Sequence, residues 1–165
     1  MAKSLLIIGA GGHGKVVKEV AEAVGYDKIA FLDDNSAEAV GKIADSKQFV
    51  QEYQAAFVGI GNNKFRNELL QRLEQEGYEI PVLLHPTAYI SKTAVIGKGT
   101  VVEPKAIVNA DSKVGTGCII SVGAIVDHDV VLEDCVHVNA GAICKAGSFV
   151  AKETKLEAGQ VVKGY

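Results

Sequence analysis

The chain has 165 residues, of which 48% are apolar and 22% charged, with a net charge of −3 and a pI near 5.8. This is the composition of a globular chain of one domain or two small ones. The acidic balance, the absence of Trp and the presence of only five Phe and five Tyr argue against nucleic-acid binding, because a basic surface and stacking rings are lacking.

The first half of the chain is predicted to alternate strands with helices. Strands are expected at residues 4–8, 28–32 and 55–60. A helix with Val16, Val17, Val20, Ala21 and Val24 on one face follows the first strand, and a helix that carries Phe65, Leu69, Leu70 and Leu73 and stops at Gly77 follows the third. This alternation implies a parallel sheet, whose ligands sit at the carboxyl ends of the strands. The turns that follow the three strands are therefore expected at one edge.

The first of these turns, Gly9 to Lys15, matches two phosphate-binding patterns. Its glycines satisfy G-x-G-x-x-G, and Asp33 and Asp34 follow roughly twenty residues on, but about 85 residues provide only one mononucleotide half, which disfavours NAD. The turn also reads G-x-x-x-x-G-K, yet Val16 replaces the Ser or Thr that binds Mg²⁺ in a P-loop. Two interpretations remain: a helix N-terminus that binds a phosphate, or a glycine turn that only packs the helix close to the sheet.

The second half of the chain carries a repeat of six residues. An aliphatic-sized residue recurs at every sixth position, usually with a small residue two positions earlier. These thirteen residues are Ile90, Ile96, Val102, Val108, Val114, Ile120, Val126, Leu132, Val138, Cys144, Val150, Leu156 and Val162. Neither a helix nor a flat strand has this period, so the chain must turn a corner every six residues and point one apolar side chain inward. The simplest solution is a triangular prism of short parallel strands, with about 18 residues per coil and roughly four coils.

The corners of this prism are predicted from glycine. Six glycines each fall three residues after an inward residue, where a corner must tolerate positive φ. They are Gly99, Gly117, Gly123, Gly141, Gly147 and Gly159.

The cysteines and the N-terminal residues indicate the compartment. Cys118 and Cys144 occupy inward positions of the repeat and Cys135 lies at a corner, so packing explains them better than a disulfide framework. The apolar run Leu5 to Ile8 is too short for a signal sequence or a membrane span. We therefore expect a cytoplasmic protein without membrane insertion.

Two histidines stand out on the predicted prism. His128, between Asp127 and Asp129, is expected at an outward-facing corner, and His137 also points outward. The two are half a coil apart, so one chain cannot bring them together, whereas a threefold assembly can. An adjacent carboxylate would fix the tautomer of His128, which makes it a candidate general base. The alternative is an inert surface histidine.

A metal centre is not expected on the prism. Catalytic zinc usually requires three protein ligands, with His favoured. Only two histidines are assigned to the prism, because His13 and His85 are predicted to lie outside it.

The chain resembles the sialic-acid and nucleotide-amino-sugar O- and N-acetyltransferase family over nearly its whole length. The resemblance depends on four motifs: Gly-Ala-Gly-Gly-His-Gly-Lys-Val-Val from Gly9, Phe31 to Asp34, Ile60 to Arg66, and the hexads that contain His128 and His137. It implies an α/β Rossmann-like unit over residues 1–85 that binds a nucleotide sugar. It also implies an all-β left-handed parallel β-helix of hexapeptide repeats over residues 86–165 that carries the acyltransferase, in a homotrimer.

The resemblance also implies roles for individual residues. His128 corresponds to the general base and Asp129 to the acidic residue that orients it. The implied binding residues are His137, Ala146 and Gly147 for acetyl-CoA, Gly11, Gly12, His13 and Gly14 for phosphate, and Asp33, Asp34, Asn62 and Arg66 for the nucleoside side of the substrate. A backbone N–H near Gly147 is the candidate donor to the oxyanion of the reaction.

The implied reaction transfers acetyl from acetyl-CoA to the amine of a UDP-, GDP- or dTDP-linked amino-deoxysugar, or to a sialic-acid hydroxyl, in bacterial-type glycan biosynthesis. Family members usually continue for about two coils beyond the position of Val162, where they enclose the donor. The alternative function is therefore a nucleotide-sugar-binding module or scaffold with a shortened β-helix that does not bind the donor.

Overall fold

The structure is a computed structural model that describes residues 3–165. The chain forms two compact units, the first ending at Pro81 and the second running from Val82 to Tyr165. The division lies four residues before the expected one at 85/86. The reason is that Leu83–Leu84 already pairs in parallel with Val101–Val102 and so belongs to the second unit.

The first unit is a three-stranded parallel sheet with helices. Its elements are β1 (Ser4–Ile8), α1 (Gly12–Ala23), β2 (Lys28–Leu32), a 3₁₀ helix (Ile43–Phe49), β3 (Ala55–Val58) and α2 (Asn63–Glu76). The strand order β2-β1-β3 is parallel throughout. The prediction of strands that alternate with helices in a parallel sheet is therefore confirmed, and the turns after the three strands lie at one edge of the sheet.

The central strand explains the arrangement of this unit. Leu5 to Ile8 are fully buried, as expected for a strand with neighbours on both sides in a sheet covered on both faces. Helix α1 buries Val17, Val20 and Ala21, which share one helical face. Helix α2 begins after Asn62, whose side chain accepts the Phe65 N–H at 2.9 Å, and ends at Gly77 in the left-handed conformation.

Two features of this unit differ from the sequence prediction. Phe65, expected on the buried face of α2, is exposed, and Arg66 beside it is buried instead. The 3₁₀ helix was not predicted. It is held by Tyr78, whose hydroxyl donates to the Ser46 carbonyl at 2.6 Å, and burial raises the pKa of Tyr78 to about 12.

The second unit is a β-helix with three faces. The first face contains β4 (Leu83–Leu84), β7 (Val101–Val102), β10 (Ile119–Ile120) and β13 (His137–Val138). The second contains β5 (Tyr89–Ile90), β8 (Ile107–Val108), β11 (Ile125–Val126), β14 (Ile143–Cys144) and β16 (Val161–Val162). The third contains β6 (Val95–Ile96), β9 (Lys113–Val114), β12 (Val131–Leu132) and β15 (Phe149–Val150). Each strand pairs in parallel with the strand one coil away, for example Val101 with Ile119 and Ile119 with His137, which is a register of 18 residues.

The inward residues are those that the repeat predicts. All thirteen belong to the core of the β-helix or pack against it, and Leu84 extends the series by one hexad. Every corner from 99 to 159 has positive φ at the third residue after an inward one. Six of these residues are the predicted glycines, and the other five are Lys105, Asp111, Asp129, Cys135 and Glu153.

The topology fixes the relative positions of the histidines within this unit. His128 lies in the corner between β11 and β12, on the second and third faces, whereas His137 lies in β13 on the first face. The prediction that the two lie on different sides of the prism is therefore confirmed. The prediction that His85 lies outside the prism is wrong, because its backbone N–H donates to the Val102 carbonyl in the first coil.

The three cysteines are buried and carry free thiols, in agreement with the packing role expected for them. Over residues 3–165, no helix has the length and apolar character required to span a membrane. The same residues form no group of three or more His, Cys, Asp or Glu side chains arranged to hold a metal ion.

Candidate active site

The corner after β11 presents an imidazole held by a carboxylate. His128 Nδ1 lies 2.7 Å from Asp129 Oδ2, and the two side chains are 45% and 52% exposed. The αL backbone of Asp129 suits a short polar residue and turns the chain back onto the third face. An imidazole that donates from Nδ1 to a carboxylate carries its lone pair on Nε2. The pair therefore has the protonation pattern of a general base.

Charges around this corner act on both members of the pair. The hydrogen bond to Asp129 raises the pKa of His128, and the nearby carboxylates of Asp127, Asp129 and Asp111 add to the effect against the opposing influence of desolvation. The same hydrogen bond lowers the pKa of Asp129. The imidazolium form is thus stabilised when His128 takes up a proton.

A second carboxylate fixes the backbone of the corner. Asp127 Oδ1 accepts the His128 N–H at 2.8 Å and the Asn109 side-chain amide at 3.1 Å. Asn109 lies 18 residues before Asp127, directly below it in the register. Sequence analysis missed this support, although the Asn and Asp at one register position were a readable signal.

The next coil places small residues over the pair. In the 18-residue register Ala146 lies over His128 and Gly147 over Asp129, and the Gly147 N–H donates to the His128 carbonyl at 3.0 Å. That N–H is therefore already engaged, so the prediction of an oxyanion donor near Gly147 stays open for its neighbours. Neither Ala146 nor Gly147 covers the corner with a long side chain of its own.

His137 is held differently. Its Nε2 lies 3.0 Å from Ser121 Oγ, one coil earlier on the first face. The structure therefore brings His128, Asp129, Ala146 and Gly147 together and places His137 elsewhere on the same unit.

The glycine turn of the first unit contains two kinds of glycine. A Cβ on Gly14 would lie 2.0 Å from the Gly9 carbonyl oxygen, and one on Gly59 would lie 2.8 Å from Gly14 Cα. Gly14 is thus required for close packing of α1 on the sheet edge. Gly11 and Gly12 are exposed, and a Cβ at either position would meet nothing within 4 Å. The packing and phosphate-binding interpretations therefore apply to different glycines.

The N-terminus of α1 is left open. Its N-cap, Gly11, makes no side-chain capping hydrogen bond, and the first turn carries no acidic residue. Helix α2 is instead capped by Asn62. Backbone N–H groups without a capping side chain, at the positive end of a helix, form a suitable site for an anion. His13 lies half-buried in this first turn.

Asp33 connects the second turn to the first. Its Oδ2 accepts the Ala10 N–H at 2.9 Å, and its Oδ1 accepts the Asn35 and Ser36 N–H groups at 2.8 and 2.9 Å. These backbone hydrogen bonds, the one from Ala10 foremost, lower the pKa of Asp33. Both carboxylate oxygens thus shape the turns.

Asp34 is exposed, and its Oδ1 accepts the Ile43 N–H at 3.0 Å. A cavity of about 200 Å³ in this loop is lined by Asp33, Ser36, Ala39, Val40, Gly41, Lys42 and Asp45.

Arg66 has a structural position in the third turn. It is only 1% exposed, and its guanidinium donates to the Ile60 and Gly61 carbonyls at 3.0 and 3.3 Å and to Asn63 Oδ1 at 2.7 Å. The side chain therefore supports the backbone of the turn from inside. Asn62, also expected to bind the nucleoside, is exposed and uses its side-chain oxygen to cap α2.

Comparison with known proteins gives related sequences for both units. Residues 4–73 match the family model of the PglD N-terminal domain. A UDP-N-acetylbacillosamine N-acetyltransferase of Bacillus subtilis is 32% identical over an alignment of 111 residues, and the match covers 61% of this chain and 51% of that protein. The chain thus spans about half the length of this curated relative.

Solved structures match almost the whole chain. The acetyltransferase domain of PglB from Neisseria gonorrhoeae FA1090, in complex with acetyl coenzyme A, has a TM-score of 0.93 and 36% identity over 99% of this chain and 83% of its own. A point mutant of perosamine N-acetyltransferase from Caulobacter crescentus, in complex with CoA and GDP-perosamine, has a TM-score of 0.89 and 28% identity over 98% and 89% of the two chains. With its α/β unit followed by a left-handed β-helix, the chain belongs to the nucleotide-amino-sugar acetyltransferase family.

Proposed function

We propose that this protein is an acetyl-CoA-dependent acetyltransferase that modifies the amine of a nucleotide-linked amino sugar in glycan biosynthesis, with His128 as the general base. The observation that carries the proposal is the 2.7 Å contact between His128 Nδ1 and Asp129 Oδ2 on an exposed corner. The enzymes and complexes named above support the amine, rather than a sialic-acid hydroxyl, as the acceptor.

The chemistry requires one proton to move as two bonds change. The sugar amine attacks the thioester carbonyl carbon, the C–N bond forms, and His128 Nε2 takes the proton of the amine. The C–S bond then breaks, and the proton passes from His128 to the sulfur of CoA. General-base assistance of this kind contributes about 10²–10⁴ in rate, and Asp129 stabilises the imidazolium during the step.

Negative charge develops on the thioester oxygen and needs a donor. Asn109, Asp127 and Lys145 occupy the same position in three successive coils. The first two side chains each accept the N–H of the following residue: Asn109 accepts that of Ala110 at 2.9 Å, and Asp127 accepts that of His128 at 2.8 Å. Lys145 precedes Ala146 and carries no acceptor, so the Ala146 amide is not capped in this way. We assign the oxyanion contact to this amide, because a preorganised N–H next to the general base stabilises the negative charge that develops on the thioester oxygen. The short side chain of Ala146 leaves room beside the base for the acetyl-CoA arm.

The nucleotide sugar is assigned to the first unit. The open N-terminus of α1 at Gly11 and Gly12 is suited to its diphosphate. The exposed Asp34, next in sequence to the cavity-lining Asp33, is assigned to the nucleoside. His13 is assigned to the same phosphate site, whereas the buried Arg66 and the engaged Asp33 shape the turns that surround it.

We propose a homotrimer in which His128 of one subunit acts with His137 of a neighbour near the donor. Two faces of the β-helix support this assembly with exposed apolar side chains: Tyr89 and Val161 on the second face, and Val95 and Phe149 on the third. Such columns are expected where copies of the chain pack together. Both proposed substrates and the three free thiols are compatible with the cytoplasm as the compartment.

One experiment tests the function. Acetyl transfer to UDP-, GDP- and dTDP-linked amino sugars is measured for the wild type, His128→Ala and a matched control, His85→Ala, whose imidazole contacts Thr87 in another coil. We expect His128→Ala to remain folded and to lose at least about a hundredfold in turnover, while His85→Ala retains it. Turnover of His128→Ala within a factor of three of the wild type would contradict the assignment of the base.

Thermal shifts on the same proteins separate an enzyme from a binding module. A ligand at a hundred times its dissociation constant stabilises the fold by about 2.7 kcal/mol. Stabilisation by both CoA and a nucleotide sugar is expected for the enzyme. A shift with the nucleotide sugar alone would support the binding module and contradict the proposed reaction.

A further inference from the structure

The corner that carries His128 has a third member two coils away. Positions 129, 147 and 165 coincide in the 18-residue register, so Tyr165 lies over Gly147, which lies over Asp129. The Tyr165 hydroxyl is 3.3 Å from Asp129 Oδ2, the same oxygen that contacts His128 Nδ1. The Tyr165 ring also lies beside the imidazole, with centroids 6.4 Å apart and planes inclined at 56°.

Glycine at position 147 makes this contact possible. A Cβ there would lie 1.9 Å from a carbon of the Tyr165 ring. Only a residue without a side chain therefore lets an aromatic ring reach across one coil to the carboxylate below.

Backbone hydrogen bonds place Tyr165 above this gap. The Tyr165 N–H donates to the Ala146 carbonyl at 3.2 Å, and the Lys145 N–H donates to the Val162 carbonyl at 3.1 Å. Gly164 allows the same close approach, because a Cβ there would lie 1.7 Å from the Ala146 carbonyl oxygen. The tyrosine is thus placed by the regular stacking of the β-helix.

We propose that Tyr165 is a positioning residue of the acetyltransferase site, which holds Asp129 in place and shares its Oδ2 with His128; this rests on the proposed function of His128. The Tyr165 hydroxyl donates to the carboxylate and so disperses part of its negative charge. Asp129 then stabilises the imidazolium less than it would alone. Tyr165 keeps the base from binding its proton too tightly for release to the leaving thiolate.

The directions of the pKa shifts in this cluster agree with Tyr165 as the hydrogen-bond donor and Asp129 as the acceptor. The contact with Tyr165 contributes to the lowered pKa of Asp129, after its hydrogen bond with His128 and against desolvation. Partial desolvation beside the corner, and next the charge of Asp129, raise the pKa of the exposed Tyr165. The Tyr165 hydroxyl therefore remains a donor at neutral pH.

The test measures the pKa of His128 directly. Imidazole signals are followed by NMR against pH in the wild type and in Tyr165→Phe, with His128→Ala used to assign the signal. Because loss of the hydroxyl leaves Asp129 to His128 alone, we expect the His128 pKa to rise by about 0.3–0.5. The acid limb of kcat/KM should move upward equally, lowering kcat/KM below the limb about two- to threefold without a change in KM for the nucleotide sugar.

A second variant tests whether the effect of Tyr165 depends on the position of its ring over Gly147. Gly147→Ala should displace the ring, so that adding Tyr165→Phe to it produces no further change in the His128 pKa. An unchanged His128 pKa in Tyr165→Phe would overturn the positioning role while leaving the base intact. If His128→Ala were fully active, the proposed function would fail, yet the titration of His128 would still report on its contact with the Tyr165–Asp129 pair.

Discussion

At the scale of single residues, the site depends on one imidazole and the acids around it. His128 lies within reach of three aspartates that raise its pKa, with the Asp129 hydrogen bond as the main cause. A general base acts in its neutral form, so the acid limb of kcat/KM is expected above the ordinary histidine value of 6.5. The activity should therefore be lost as the pH falls through the raised pKa.

Asp129→Asn should move this limb to lower pH, because the amide cannot stabilise the imidazolium as a carboxylate does. The plateau activity should also fall, since the tautomer of His128 is no longer fixed. Asp111→Asn is the matched control: Asp111 occupies the same αL corner position one coil earlier and contributes the least to the His128 pKa. Measured pH profiles of kcat/KM check both variants, and a limb that stays in place or rises in Asp129→Asn would contradict the pairing.

The sequence identified His128 and Asp129 because their types and spacing are local. It did not identify Tyr165, since the contact with Asp129 depends on a register of two coils and on the missing side chain of Gly147. The burial of Arg66, which the family resemblance assigns to the substrate site, was not predictable for a similar reason. Its position in the motif was visible, but its burial depends on how the third turn folds around the guanidinium.

At the scale of elements, the glycine turn contains separable functions. Gly14→Ala should lower the free energy of unfolding by at least about 2 kcal/mol, because its Cβ meets the Gly9 carbonyl at 2.0 Å and packed backbone cannot yield. Gly12→Ala is the control in open space and should change stability by less than about 0.5 kcal/mol. Denaturant unfolding measures both.

Nucleotide-sugar affinity, unlike stability, should respond to Gly12→Ala at the same helix terminus. If a diphosphate approaches the N–H groups of α1 closely, Gly12→Ala should weaken nucleotide-sugar binding about tenfold, or about 1.4 kcal/mol, by titration calorimetry on the folded protein. Equal destabilisation by the two substitutions, or unchanged affinity in Gly12→Ala, would show that this division is wrong. The sequence alone could not separate the glycines, since the pattern counts them without their neighbours.

At the scale of the whole molecule, His128 and His137 lie on different sides of one β-helix. In a closed trimer each boundary would combine His128 of one subunit with His137 of the next. Subunits carrying His128→Ala mixed equally with subunits carrying His137→Ala should then restore about one quarter of the boundaries to an intact pair by random assortment. Activity of the coexpressed mixture, compared with each variant alone, measures this.

No recovery in mixtures shown to contain both subunits would contradict the shared site. Light scattering that finds a monomer in a fully active preparation would contradict the assembly itself.

The fold of each unit was predictable because hexads and alternating strands repeat over many residues. The start of the β-helix was not, since Leu83–Leu84 is identified only by its pairing with Val101–Val102.

The constant register also has a consequence for how the chain folds. Every strand pair of the β-helix joins residues 18 apart, as Val101 and Ile119 are, so each coil closes a loop of the same modest entropy once its predecessor is in place. In the first unit, β1 must find β3 across 50 residues, from Leu5 to Ala55. Since rates fall as contacts become more distant in sequence, amide protection in pulsed hydrogen exchange should spread coil by coil through the second unit before the central sheet of the first is protected.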